Sequence, residues 1–334
     1  MENKRNTNVE VLRLVLMLAI LCWHILVHGY GFKNFGYANM ECLSDEVAII
    51  LASLLAPATY CFMFISGYYG LKFSVKKGIS LELWLIQASL LTSFIGSFFF
   101  VKLPIFEFVR ACFPVSTGKW WFMTCYMQIF LLSPILNKGI DNLRKNSFLL
   151  IIVLLVANQI LFFLCLRFLG GNNILGLLTM FLLGRYFNIY KIEIKKNIAL
   201  LLFLACWLSL IGLMLLANNY CKHHVFTLLN YNTPLVMTMA ITVFYYVKGM
   251  TPHCSPKINT LLKPVLFIYL ITDGLFVPFY EWVTSVLKDD MLLGVLLVIA
   301  IPVVCLLIGH LVIKFVDFLQ SKINIQKMEE YFRQ

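Results

Sequence analysis

The segment NVEVLRLVLMLAILCWHILVHGY, residues 8–30, is apolar over most of its length yet carries Glu10, Arg13, His24 and His28. An apolar run of about 20 residues suffices to cross the ~30 Å hydrocarbon core of a bilayer as a helix. Ionisable groups inside such a run are costly, so each is read first as functional. At ~3.6 residues per turn, the separation of eleven between Arg13 and His24 is close to three whole turns. The two therefore share one face, ~16 Å apart along the axis. Glu10 stands three residues before Arg13, the spacing at which a carboxylate holds a guanidinium in place. The blander readings are a snorkelling cation for Arg13 and an interhelical hydrogen bond for His24. Taken together, the two suggest a path with an anion-binding mouth at Arg13 and a proton-accepting centre at His24.

The rest of the chain repeats the pattern of the first segment. Of 334 residues, 61% are hydrophobic and 13% charged, against about 45–50% and about 25% in soluble domains. Apolar stretches recur at 9–28, 47–70, 81–101, 120–137, 147–166, 173–190, 198–217, 226–247, 263–284 and 291–316. This predicts an all-α polytopic integral membrane protein of about ten transmembrane helices, embedded in the lipid bilayer. No cleavage site of small residues follows the first stretch, so it reads as a retained helix and not a signal peptide. Residues 1–316 form one transmembrane domain on this reading, and 317–334 an amphipathic cytoplasmic tail.

The net charge of +11 belongs to loops and not to a nucleic-acid surface. Alternate loops collect most of the basic residues, among them Lys72, Lys76, Lys77, Lys138, Arg144, Arg185, Lys191 and Lys248. The opposite loops hold only Lys33, Lys102, Arg110, Lys119, Arg167, Lys222 and Lys288. The positive-inside rule then puts both termini in the cytoplasm.

The ten cysteines have no paired or metal-ligand spacing, so no metal site is expected. A bridge among Cys42, Cys112 and Cys221 in the outer loops stays open. The outer loops 29–46 and 102–119 mix charges with aromatics, including Glu107, Arg110 and Lys119, a composition that suits a sugar-binding rim or a plain solvated loop. Trp120 and Trp121 stand at a span boundary, where an interfacial aromatic belt would place them.

Five blocks carry a resemblance. Glu10, Arg13 and His24 match an acid-x-x-Arg pattern followed by histidine. FMFISGYYG (62–70), WWFMTCYMQIFLLSPILN (120–137), FLLGRYFNIY (181–190) and LKPVLFIYLITDG (262–274) follow in order. In these blocks the chain resembles the acyltransferase 3 family of bacterial membrane O-acyltransferases, which act on surface polysaccharides, lipopolysaccharide and related glycans. One departure stands out: Thr272, followed by Asp273, occupies the place where the family usually has histidine. The family's arginine-rich segment after the second span is reduced to Lys76 and Lys77, which act as point charges without bidentate geometry.

The resemblance implies a multi-pass protein of the bacterial plasma membrane. It implies acyl-CoA, most simply acetyl-CoA, as cytoplasmic co-substrate and a glycan hydroxyl on the outer side as acceptor. Arg13, Lys72, Lys76 and Lys77 would hold the coenzyme A phosphates. His24, supported by Arg13 and Glu10, would act as general base or carry the acyl group itself. Ser66, Trp121, Tyr126, Tyr269 and Asp273 are candidate substrate contacts. Nucleic acid is not an expected partner, and a homo-oligomer stays open. Two alternatives remain at this stage: a transporter or flippase for a lipid-linked glycan or small solute, kept alive by Asp273, Glu281 and Pro278, and an inactive partner protein in glycan assembly, prompted by Thr272.

Overall fold

The computed structural model of the chain describes residues 6–32, 44–164, 170–220 and 222–322. Lys33, Cys42, Cys165, Arg167, Cys221 and the tail beyond Lys322 lie outside the described residues. Within them the structure is helical, with no strand.

Helix α1 is Thr7–His24, continued by a wide π turn over Ile25–Gly29. It is followed by α2 (Asp45–Leu55), α3 (Ala58–Tyr69), α4 (Val75–Phe99), the short α5 (Ile105–Ala111) and α6 (Trp121–Asp141). Then come α7 (Lys145–Leu164), α8 (Ile174–Ile189), α9 (Lys196–Tyr220), a 3-10 turn at Lys222–Leu229 and α10 (Pro234–Lys248). The short α11 (Pro256–Leu261), α12 (Leu266–Asp289) and α13 (Met291–Lys322) complete the order. Helix starts are set by local chemistry: Asn6, Ser44, Ser74 and Asn173 each accept a backbone N–H of the first turn, and Pro234 occupies a first-turn position of α10.

Every expected apolar stretch coincides with helix, but the boundaries move. Stretch 47–70 is two helices, α2 and α3, because Pro57 lacks the amide that would continue the ladder. Stretch 226–247 begins as a 3-10 turn, and α10 itself, 15 residues or about 22 Å, is shorter than a bilayer core. Helix α13 runs to Lys322, into the segment read as tail. Among the described residues six segments are long and apolar enough to cross a membrane: Thr7–Gly29, Asp45–Tyr69, Val75–Phe99, Lys196–Tyr220, Pro256–Leu275 and Met291–Lys322. Lys145–Leu161 and Ile174–Ile189 are shorter apolar helices.

The chain divides into two compact units that interleave along the sequence, residues 1–70 with 140–260 and residues 71–139 with 261–334. In the first, α3 packs along α8, α1 lies against α3 and α10, and α9 packs against α2 and α10. The closest approach is made by glycines. Gly67 meets the backbone of Phe181, and Gly184 meets that of Phe64 and Tyr68, so α3 and α8 touch nearly backbone to backbone, the device that lets helices associate in lipid. Trp207 Nε1 donates to Ser53 Oγ at 3.0 Å, joining α9 to α2.

In the second unit α12 packs against α4 and α13, and α4 against α5 and α13. Gln320 Nε2 donates to Ser80 Oγ at 2.7 Å, tying α13 to α4. Large apolar side chains point outward along both units, including Leu201, Leu208 and Leu216 on α9 and Leu292, Ile299, Leu307 and Leu311 on α13. Such a surface is at home in lipid and would be an aggregation hazard in water.

Candidate functional site

In the first unit the start of α1 is anchored before its charged residues begin. Thr7 N–H donates to His253 O at 2.8 Å, and Thr7 Oγ1 donates to Asn259 Oδ1 at 2.8 Å. Two turns on, Arg13 Nη1 donates to Glu10 Oε1 at 2.7 Å. The Glu10 side chain is 8% exposed and that of Arg13 24%. A carboxylate so withdrawn from solvent both neutralises the guanidinium and fixes its direction.

Helix α1 then runs unbroken to His24, which keeps the imidazole ~16 Å beyond Arg13. Directly after His24 the helix widens, and Tyr30 N–H closes the π turn on Ile25 O at 3.0 Å. Turns of this kind are frequent at functional positions. His24 and His28 lie with ring centroids 5.5 Å apart, tilted by 54°. His28 follows His24 by four residues, about one helical turn; the widening after His24 has no sequence signature.

Further basic residues gather at the end of α3 that follows the Ser66-Gly67 step. The charges of Arg13, Glu10 and Lys248 all act on the hydroxyl of Tyr69. Lys248 Nζ stands 5.4 Å from the centroid of the Tyr68 ring and 5.5 Å from that of Tyr245. It also pairs with Glu193 at 2.6 Å. Gly70 turns the chain at φ +79°, and a Cβ there would come within 2.8 Å of Arg185 Nη1. The Nε of Arg185 is buried without a hydrogen-bond partner among the described residues. Three cations thus surround the C-terminal end of α3, where the helix dipole favours them. Arg185 and Lys248 read in sequence only as topogenic charge. The signal that singles out Arg185 is Gly70, whose missing side chain leaves room for the guanidinium.

The other expected phosphate ligands belong to the second unit. Lys72, Lys76 and Lys77 are exposed around the start of α4, capped by Ser74, whose Oγ accepts from Lys77 N–H at 3.2 Å. Ser66 belongs to the first unit, and its hydroxyl donates to Phe62 O of its own helix at 3.0 Å.

Three of the expected substrate contacts meet in the second unit around Phe122. Its ring has Trp121 at 6.0 Å, Tyr126 stacked at 6.2 Å and Tyr269 edge-on at 6.3 Å. Asp273 follows Tyr269 by one turn of α12. Trp120 is not a belt residue: it is 1% exposed, with Lys119 Nζ 5.3 Å from its ring centroid. Thr272 is equally buried, and its hydroxyl donates to Ile268 O at 2.7 Å. At this position the chain therefore has a packed, internally bonded side chain and no titrating group. Cys22, Cys61, Cys112, Cys125, Cys206, Cys254 and Cys305 are free thiols.

Long apolar helices, the first of them carrying an ion-paired arginine and an imidazole, define a polytopic helical membrane protein. Its particular kind follows from comparison with known families: the model of an acyltransferase domain, Acyl_transf_3, matches residues 6–310, and the chain belongs to that family. It is thereby a membrane protein of the acyl-transferring class. No curated protein and no solved structure matches the chain.

Proposed function

We propose that the protein is an acyl-CoA-dependent O-acyltransferase of the bacterial plasma membrane, with acetyl-CoA as donor and a hydroxyl of a cell-surface or lipid-linked glycan as acceptor. About ten helices cross the bilayer with both termini in the cytoplasm, in keeping with the loop charge asymmetry. The observation that carries the reading is α1, which holds a guanidinium fixed by Glu10 at one end and an imidazole beside a π turn at the other, in a chain of acyltransferase descent.

The chemistry follows from these groups. Arg13, with Arg185 and Lys248 nearby, supplies the positive charge that coenzyme A phosphates require. Lys72, Lys76 and Lys77 add exposed positive charge in the second unit. Neutral His24 takes the proton of the acceptor hydroxyl as its oxygen attacks the thioester carbonyl. The carbon–sulfur bond breaks, and the imidazolium returns its proton to the departing thiolate. In the alternative order His24 attacks first and passes the acyl group on. Within the second unit, Trp121, Tyr126, Tyr269 and Asp273 are the residues proposed to contact a sugar, with the apolar faces of its rings against the aromatics.

The test is vectorial. Proteoliposomes receive acetyl-CoA labelled in the acetyl group on one side and an acceptor glycan mixture on the other. Label appearing in glycan ester, removable by mild base, is the expected result. Label that crosses unchanged, or is never consumed, would put the protein in another class.

A further inference from the structure

The second unit contains a cavity of about 440 Å³, within the size range of small-ligand sites. Its lining is partly apolar, with Phe100, Leu275 and Pro278, and partly polar, with Thr117, Lys119 and the Glu107–Arg110 pair. A lining that mixes apolar surface with hydroxyl and charged groups suits a saccharide, which has C–H faces and a polar edge. Helix α5, which supplies Glu107 and Arg110, exposes Ile105, Phe106 and Val109 on its other side. That is how a short helix seats at a membrane interface.

Lys119 is the unusual member. Its Nζ donates to Ser89 O at 3.0 Å, Thr92 Oγ1 at 3.1 Å and Ser93 Oγ at 3.2 Å. The Thr92 hydroxyl proton is directed at Ala88 O and Ser89 O, so toward Lys119 its oxygen only accepts. All three partners are neutral. Among the described residues no carboxylate pairs directly with the ammonium. Glu107 is engaged with Arg110 at 3.0 Å, and Asp273 acts on Lys119 only through the field. Burial pushes the Lys119 amine down to about 8, against the upward pull of Glu107 and Asp273. A cation oriented by dipoles at a cavity wall and short of a counter-ion gains from an anion inside that cavity.

We infer that this cavity binds a saccharide carrying an acidic group, a carboxylate or a phosphate ester, and that Lys119 is the residue that reads its charge. The inference rests on the glycan-acceptor reading above and narrows it to acidic glycans. Arg110 adds positive field at the mouth, and Glu107 accepts sugar hydroxyls. A neutral sugar would leave the ammonium as poorly compensated as in the empty cavity.

The test is saturation-transfer NMR on the full chain in nanodiscs, with glucuronate, glucose 1-phosphate and glucose as observed probes and inorganic phosphate as a competitor for glucose 1-phosphate. Lys119→Met and Lys119→Arg are compared with wild type, and acetyl-CoA turnover is measured on the same samples. Glucuronate and glucose 1-phosphate are expected to bind at least ten-fold more tightly than glucose. That preference should vanish in Lys119→Met, return in Lys119→Arg, and weaken with salt. It should also weaken on raising the pH from 7 to 9 as Lys119 discharges; Glu107 and Asp273 are the other charged groups that act on Lys119, and Arg110 pairs with Glu107. Glucose binding as well as glucuronate, or Lys119→Met retaining the preference, would overturn the inference. Inorganic phosphate matching glucose 1-phosphate would overturn its saccharide part. Turnover without charge-selective binding removes this inference and leaves the acyltransferase reading; charge-selective binding without turnover does the reverse.

Discussion

Replacing Gly67 by alanine tests the packing that holds the first unit together. An added Cβ would overlap Phe181 O and lie 2.8 Å from both the carbonyl carbon and the Cα of Phe181. Carbon atoms pack at about 3.5–4.0 Å, so α3 and α8 would have to separate by roughly 1 Å. The obstacle is backbone, which cannot rotate away as a side chain does. Overpacking ordinarily costs about 1–3 kcal/mol, and this site belongs at the upper end, ~3 kcal/mol, or about a hundred-fold in the unfolding equilibrium. Gly184→Ala meets Phe64 O and, at 2.6 Å, Tyr68 N, and should cost a similar amount. Because both open the same crossing, the double variant should lose less than the sum. Unfolding in mixed micelles of rising SDS fraction, followed by tryptophan fluorescence, reads the difference. Gly67→Ala falling within 0.5 kcal/mol of wild type would refute the close approach of the two helices.

Other consequences are smaller or of different kind. Trp207→Phe removes the donor to Ser53 Oγ, but that hydroxyl still donates to Ile50 O; the same SDS titration should show a loss of only ~0.6–1 kcal/mol. A loss several times larger would mean that the indole also carries packing. Thr272→His, which installs the residue expected there from the family resemblance, should destabilise by about 1–3 kcal/mol through overpacking without raising turnover; a gain in turnover would show that the position is catalytic here. The Lys119 amine loses its proton at about 8 in the fold and near 10.4 when unfolded. Between those values the unfolded chain binds more protons, so stability rises with pH, by at most ~3 kcal/mol at 1.36 kcal/mol per unit. Thermal unfolding from pH 7.5 to 10 should show this slope in wild type and a flatter one in Lys119→Met.

The all-helical membrane architecture was legible because apolar runs of about twenty residues have few alternatives. The Glu10–Arg13 contact was legible for the same local reason, one turn of helix. What escaped depends on backbone detail or on distant partners. Pro57 divides one apolar stretch into α2 and α3, and the widening after His24 leaves no mark in composition. Trp120 looked interfacial but is buried beside Lys119, whose three oxygen partners lie 26 to 30 residues earlier. The approach of Arg185 to Gly70 joins residues far apart in sequence, and the interleaving of the two units is a property of tertiary contacts alone.

Under the proposed function, His24 performs the acyl chemistry and Arg13 binds the donor. The most direct measurement is the rate of acetyl-CoA consumption by purified protein in nanodiscs, for wild type, His24→Ala and Arg13→Ala, across donor concentrations. His24→Ala should abolish turnover at every concentration while still binding donor, and Arg13→Ala should chiefly raise the donor concentration required. Wild-type turnover that survives His24→Ala undiminished would contradict that role for His24.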